Sequence, residues 1–208
     1  PEPDPIHDMS LTLPFPRLTK LLLAAAAIAF CAGSANAAVE TYAIDPVHSA
    51  VGFSIRHFVS KVPGKFTKFS GKITVDRDNL EKSSVTARIE IASVETGDND
   101  RDTHLKSPDF FDAAKHPAMT FTSTAWKKTG ADTFDITGDL TIKGIKKRVV
   151  LKATLLGFGP GMQGAQLSGW EATTTIQKAD FDLKGPAMLG TMLGDDVTIT
   201  IAVEAVKK

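Results

Sequence analysis

The chain has 208 residues, 42% of them hydrophobic, and its 24 basic and 24 acidic side chains cancel at pH 7. That balance argues against nucleic acid or an anionic membrane surface as a partner. The length fits a single domain, and one cysteine, Cys31, excludes an intrachain disulfide.

From the N-terminus, Arg17 and Lys20 give a basic flank, Leu21 to Phe30 an apolar run too short to span a bilayer, and Ala35-Asn36-Ala37 a small-x-small cleavage site. This predicts a signal peptide within residues 1–37, with Pro1 to Asp8 ahead of the true start at Met9. Cleavage after Ala37 then leaves residues 38–208 as one domain, periplasmic or secreted. Cys31 departs with the leader, so the mature part depends on packing where disulfides are otherwise available. Phe30 before Cys31 does not fit a lipoprotein signal, and a soluble product is expected.

The mature part shows apolar–polar alternation at the two-residue period of a strand with one dry face. Phe69, Gly71, Ile73 and Val75 share a face against Ser70, Lys72 and Thr74, and Phe134, Ile136, Gly138, Leu140 and Ile142 share one against Asp135, Thr137, Asp139 and Thr141. Eight such runs fall at about 47–58, 65–76, 83–94, 118–128, 132–142, 146–158, 166–178 and 196–206. Lys143-Gly144 and the glycine-rich 157–164 stretch separate strands as turns. The expected fold is all-β: an eight-stranded antiparallel up-and-down barrel, with a two-sheet sandwich as the alternative.

Between the third and fourth strands lies GDNDRDTHLKSPDFF, residues 97–111. As a calcium loop it starts well with Asp98, Asp100 and Asp102, but Thr103 occupies the position that needs glycine and Asp109 the one that prefers glutamate. As structure, Asp98 or Asn99 caps a short helix running to about Lys106, Ser107-Pro108 begins a turn carrying Phe110 and Phe111, and His116-Pro117 ends it. Polar outside and aromatic at its end, the segment is expected to form a helical lid over one mouth. The later stretch KGPAMLGTMLGDD, 184–196, mixes Met188, Leu189, Met192 and Leu193 with three glycines; it either folds over the barrel end as ordinary core or, the preferred reading, forms a hinged gate.

Small residues (Gly71, Ala87, Ser123, Ala125, Gly138, Ala153, Ala172) lie among Phe53, Phe121, Phe134 and Trp170 on the inward faces, so the interior either holds a cavity or interlocks large with small. No inward face carries a carboxylate or lysine, so the acid, base or nucleophile of an enzyme is wanting. His57 is the one ionisable inward group, and Ser49 beside it has no acid to complete a triad. His48, His57, His104 and His116 lack the paired spacing of a zinc site. No metal or other cofactor is expected.

The motifs YAIDPVHSAVGFSIRH (42–57), GKFTKFSGKITVD (64–76), the 91–124 segment with Arg101-Asp102-x-His104-Leu105 and Phe110-Phe111, ITGDLTIKGIKKRVVL (136–151) and IQKADFDL (176–183) run in order along the mature chain. Together they resemble the YceI-like family of exported, lipocalin-like bacterial barrels associated with polyisoprenoid or other long-chain lipids. Tyr42 stands where the family often has tryptophan, and Lys178 and Asp182 where it has arginine and glycine, so ligand identity is less fixed than fold.

With that resemblance, the chain is expected to be a non-enzymatic carrier or scavenger of an isoprenoid or fatty-acyl chain. Val51, Phe53, Ile55, Phe69, Ile89, Phe121, Phe134 and Trp170 are the candidate wall, and Phe110 and Phe111 the candidate lid contacts. Arg56, His57, Arg101 and His104 are candidates for a polar head, with Asp102 orienting Arg101. Two rival classes are an enzyme using His57 as base on a small apolar substrate and a solid-cored module in transient contact with a membrane redox protein. The sequence carries no reading of oligomeric state.

Overall fold

The computed structural model describes residues 39–208. The expected signal peptide lies outside the described residues. In chain order come β1 (Glu40–Ile44), β2 (Ala50–His57), β3 (Ser60–Phe66), β4 (Phe69–Val75), β5 (Ser84–Glu90), β6 (Val94–Glu95), helix α1 (Asn99–Lys106), β7 (Ala118–Lys128), β8 (Thr133–Ile142), β9 (Ile145–Pro160), β10 (Gln166–Gln177) and β11 (Leu193–Lys207). All pairings are antiparallel, and β1 returns to β11 to close the ring.

The result is the expected eight-stranded barrel, because β1 with β2, β3 with β4 and β5 with β6 are three long staves, each interrupted once. The first stave runs along β11 throughout: β1 pairs with Ala205–Lys207 and β2 with Leu193–Ala202. Its break at 45–49 is clasped from outside. The Asp45 N–H donates to the Glu204 carbonyl at 2.9 Å, Ser49 Oγ accepts from the Glu204 N–H at 3.1 Å, and His48 Nδ1 lies 2.8 Å from Asp45 Oδ2 and 3.6 Å from Glu204 Oε1. The Asp-x-x-His-Ser motif is thus a fastening for a break in the wall.

The second stave breaks at Thr67-Lys68, whose N–H groups donate to the Ser93 carbonyl (3.1 Å) and Ser93 Oγ (3.0 Å). The break resets the alternation, so Phe66 and Phe69, three apart, both point inward. The sequence pattern predicts this strand only from residue 65, yet β3 begins at Ser60. Pro63 is tolerated there because β3 meets β6 only at Lys65 and Phe66, leaving that flank with no ladder bond to lose.

Two further irregularities redirect aromatic residues. A register shift between Ser123 and Ala125 turns Trp126 into the core and leaves Ala125, which alternation placed inside, exposed. A second shift, opposite Gly169 and Trp170, leaves Leu156 61% exposed and lets Phe158 pack at 6.0 Å against Trp170 and 5.9 Å against Tyr42. Elsewhere the alternation holds: on β8 Phe134, Ile136, Gly138, Leu140 and Ile142 are all buried.

Candidate ligand cavity

The barrel encloses a cavity of ≈ 560 Å³, within the range of about 300–1,000 Å³ typical of small-molecule sites. Large and small residues do interlock, and room still remains.

The floor is aromatic. Trp126 and Trp170 meet edge to face at 5.4 Å, with Phe134 behind them at 6.0 and 6.4 Å. Both indole Nε1 donors are buried without a partner, so this floor is apolar in contact and polar in unmet capacity. Below it, Tyr42 donates from its hydroxyl to Glu40 at 2.6 Å, Lys207 Nζ lies 2.6 Å from Glu40, and the Arg77 guanidinium covers the Phe158 ring at 3.7 Å. The hydrogen bond from Lys207, then that from Tyr42, holds the Glu40 carboxyl below its usual pKa, while burial first and Glu40 second push the Tyr42 phenol up. This end is sealed by rings and then by charge.

The wall is built from the alternating strands. Val51, Phe53 and Ile55 from β2, Phe69 from β4, Ile89 from β5, Phe121 from β7 and Trp170 from β10 all line the cavity. Phe134 does not. It stands on the correct face of β8 but at the closed end, 1% exposed, where Trp126 separates it from the lumen.

The mouth carries the polar groups. α1 begins after Asp98, whose side chain accepts from the Arg101 N–H at 2.9 Å, and its acidic first turn complements the helix dipole. Asp102 Oδ1 accepts from the N–H (2.9 Å) and Oγ1 (2.6 Å) of Thr96, while Arg101 Nε donates to Thr96 Oγ1 at 2.8 Å and a terminal guanidinium nitrogen donates to the Thr96 carbonyl at 2.9 Å. Asp102 therefore acts on Arg101 through Thr96. Arg101, His104, Leu105, Phe110 and Phe111 line the cavity from this segment, and His104 Nε2 lies 3.1 Å from Asp109 Oδ2. His57, the last residue of β2, lines it from the wall.

Arg56 is placed otherwise than expected. Strand alternation puts it on the outer face between inward Ile55 and His57, where its guanidinium donates to the Phe58 carbonyl at 3.1 Å. Lys178, which the sequence marks only as a departure from the family, is a further mouth cation: one residue past β10, it lines the cavity and pairs with Asp195 at 3.5 Å. Phe66 and Trp126 were missed in the sequence, since a break and a bulge reverse their apparent faces. Phe66 joins wall to lid, its ring 5.6 Å from Phe53 and 6.0 Å from Phe111.

Two loops close over the mouth. Lys143 Nζ, in the turn between β8 and β9, donates to the Pro108 carbonyl at 3.1 Å and the Asp182 carbonyl at 2.9 Å, and the Gly185 N–H donates to the Asp109 carbonyl at 3.0 Å. Leu189 and Leu193, from the predicted gate, line the cavity beneath.

The profile of the YceI-like domain matches residues 42–205, nearly the whole described chain. The chain belongs to the YceI-like family. It is 42% identical over 187 residues to Protein YceI of Escherichia coli O6:H1, covering 88% of this chain and 94% of that protein. A UPF0312 protein of Ectopseudomonas mendocina is 37% identical over 197 residues, 92% of this chain and all of the relative. Among solved structures, Burkholderia cenocepacia BcnA superposes with a TM-score of 0.72 at 25% identity, covering 77% of this chain and 98% of BcnA. A polyisoprenoid binding domain from Saccharophagus degradans shares the fold, with a TM-score of 0.63 at 16% identity, covering 80% of this chain and 98% of that domain. The YceI-like segments met in sequence thus map onto one barrel: clasp, wall, lid and mouth.

Proposed function

We propose that this protein is an exported, non-enzymatic lipid-binding protein whose barrel sequesters or carries a long apolar chain, isoprenoid or acyl. The observation that carries the reading is the cavity: a closed barrel around ≈ 560 Å³, apolar along its wall and ionisable at its mouth. The S. degradans domain of the same fold is a polyisoprenoid binding domain, which supports that ligand class here. Each buried CH2 contributes about 0.8 kcal/mol before ordering costs are subtracted, so a long chain suffices without specific bonds. The polar end of the chain stays at the mouth, within reach of His57, Arg101, His104 and Lys178.

Export rests on the signal peptide expected in residues 1–37. The non-enzymatic reading rests on the wall, whose inward strand side chains bring little reactive chemistry beyond His57 and Thr174. Glu171 borders the cavity but is exposed, between inward Trp170 and Ala172. Native mass spectrometry of protein purified without detergent, followed by lipid extraction, is the test. A stoichiometric isoprenoid or acyl adduct is expected. Protein that carries no adduct and takes up no polyprenyl or fatty-acyl probe overturns the reading, and a turnover abolished by His57→Ala overturns its non-enzymatic part.

A further inference from the structure

The turn between β2 and β3 has a sequence that the fold alone does not call for. His57 pairs with Ser60, so the turn is two residues, Phe58-Val59. Phe58 has φ 51°, a left-handed conformation where glycine or asparagine is ordinary and a bulky ring is an outlier. Neither residue is repaid by burial: Phe58 is 53% exposed and Val59 fully so, at 102%. Scattered exposed apolar residues need no explanation, but this pair is disfavoured by both backbone and solvent. It also stands at the open end, where the Phe58 N–H donates to the Met192 carbonyl at 2.8 Å and the Phe58 ring meets that of His57 at 4.7 Å.

Behind the tip, Arg56 and Lys61 face each other across the pairing, both exposed on the outer side. Like charges directly opposed weaken a strand pair. Arg56 bonds the Phe58 carbonyl within the tip itself, and Lys61 has no acidic partner among the described residues. An apolar tip backed by cations matches the layers of an anionic bilayer, phosphates outside and acyl chains within.

We propose that the Phe58-Val59 turn, with Arg56 and Lys61 behind it, docks the barrel's open end on an anionic phospholipid bilayer. Overall neutrality counts against a long-range pull but not against this contact, because only cations within a Debye length of the surface contribute. Docking places the mouth where a lipid can pass between bilayer and barrel; that purpose rests on the lipid-binding reading, while vesicle binding itself is measured independently of cargo.

Flotation with phosphatidylglycerol-containing vesicles, against pure phosphatidylcholine vesicles, tests the proposal. The wild-type protein is expected to float with the anionic vesicles and to be released by salt. Phe58→Gly with Val59→Ser gives the turn its preferred glycine, so the melting temperature holds or rises while vesicle binding falls about tenfold or more. Lys61→Gln lowers binding about fivefold, the effect of one cation near a charged membrane. Val59→Asp, at a fully exposed position, repeats the loss without touching the fold. Wild-type protein that floats with neither vesicle, or a Val59→Asp variant that floats like wild type, overturns the proposal. Bound lipid is followed separately by mass: wild-type protein that carries lipid but floats with neither vesicle rejects this surface alone, and wild-type protein that floats but carries no lipid rejects the carrier alone.

Discussion

The ring of Phe53 rests against Gly64, its partner across the β2–β3 pairing, so closely that a Cβ on Gly64 would stand 2.7 Å from Phe53 Cε1. Across the barrel a Cβ on Gly138 would stand 2.5 Å from Phe121 Cε2. Each ring lies back on bare backbone and leaves the lumen clear. Gly64→Ala is therefore expected to push Phe53 into the cavity, costing about 1–3 kcal/mol by overpacking and weakening uptake of a long-chain lipid. Gly159→Ala, whose Cβ would meet nothing within 4 Å, should change stability by less than about 0.5 kcal/mol. Thermal melts and lipid titrations of the two variants check this, and matching behaviour would refute it.

Removing a ring tests the wall from the other side. Phe121→Ala empties a buried position and is expected to cost about 3–5 kcal/mol, with weaker lipid binding. Outward Lys72→Ala on β4 should shift stability by no more than about 0.5 kcal/mol and leave binding unchanged. Urea unfolding and lipid titration of both variants read the difference.

Lys143 holds the two mouth loops together, bonding carbonyls at Pro108 and Asp182. Lys143→Met keeps the stem but removes both bonds, one exposed and one part-buried, at a cost of about 0.5–1.5 kcal/mol. Hydrogen exchange should quicken in residues 107–113 and 182–192 while the barrel strands stay protected. In the wild type, loading with lipid should slow exchange in the 184–196 loop more than in the strands. An exchange map that is unchanged by either treatment would leave these loops as fixed packing.

The Asp45–His48 contact gives the clasp a pH window. The hydrogen bond with Asp45 raises the His48 pKa above its usual 6.5, so its contribution is complete below 6.5 and is lost as pH rises through the raised folded value. The hydrogen bond with His48, then that from Val47 N–H, lowers the Asp45 pKa from its usual 3.8, so its contribution is complete above 3.8 and is lost as pH falls through the lowered value. The clasp is thus fully engaged between pH 3.8 and 6.5. Ring-proton titration by NMR should place His48 above an ordinary histidine in the wild type and return it toward 6.5 in Asp45→Asn. An unshifted His48 in the wild type would remove the contact from solution.

Chelation tests the acidic run at α1. Asp98 caps the helix and Asp102 binds Thr96, so two of the three aspartates already serve the fold. EDTA is expected to leave the melting temperature unchanged, as followed by circular dichroism. A clear drop would revive the calcium-loop reading.

The alternation on β8 and the residues of β2, β5 and β11 made the barrel legible, because one dry face stamps a two-residue period on the chain. Helix α1 was legible from its cap. The breaks were not, since the one at 45–49 depends on Glu204 and the one at 67–68 on Ser93, partners remote in sequence. Each break or bulge reverses the apparent face of the residues beyond it, which hid Phe66 and Trp126. Phe134 illustrates a different limit: its face was readable, but its depth along the barrel depends on which rings fill the closed end. Arg56, a candidate for the polar head, lies outside the mouth because it and its neighbour His57 point to opposite faces of the strand.

The seam between β1 and β11 joins residues 167 positions apart in the Glu40–Lys207 contact. A ring of this kind cannot close until the final stave is available, so the chain must remain open while almost all of it is made. Non-local pairings of this sort slow folding. The proposed export fits a late seam, because the structure that would jam passage through a membrane is the last to form.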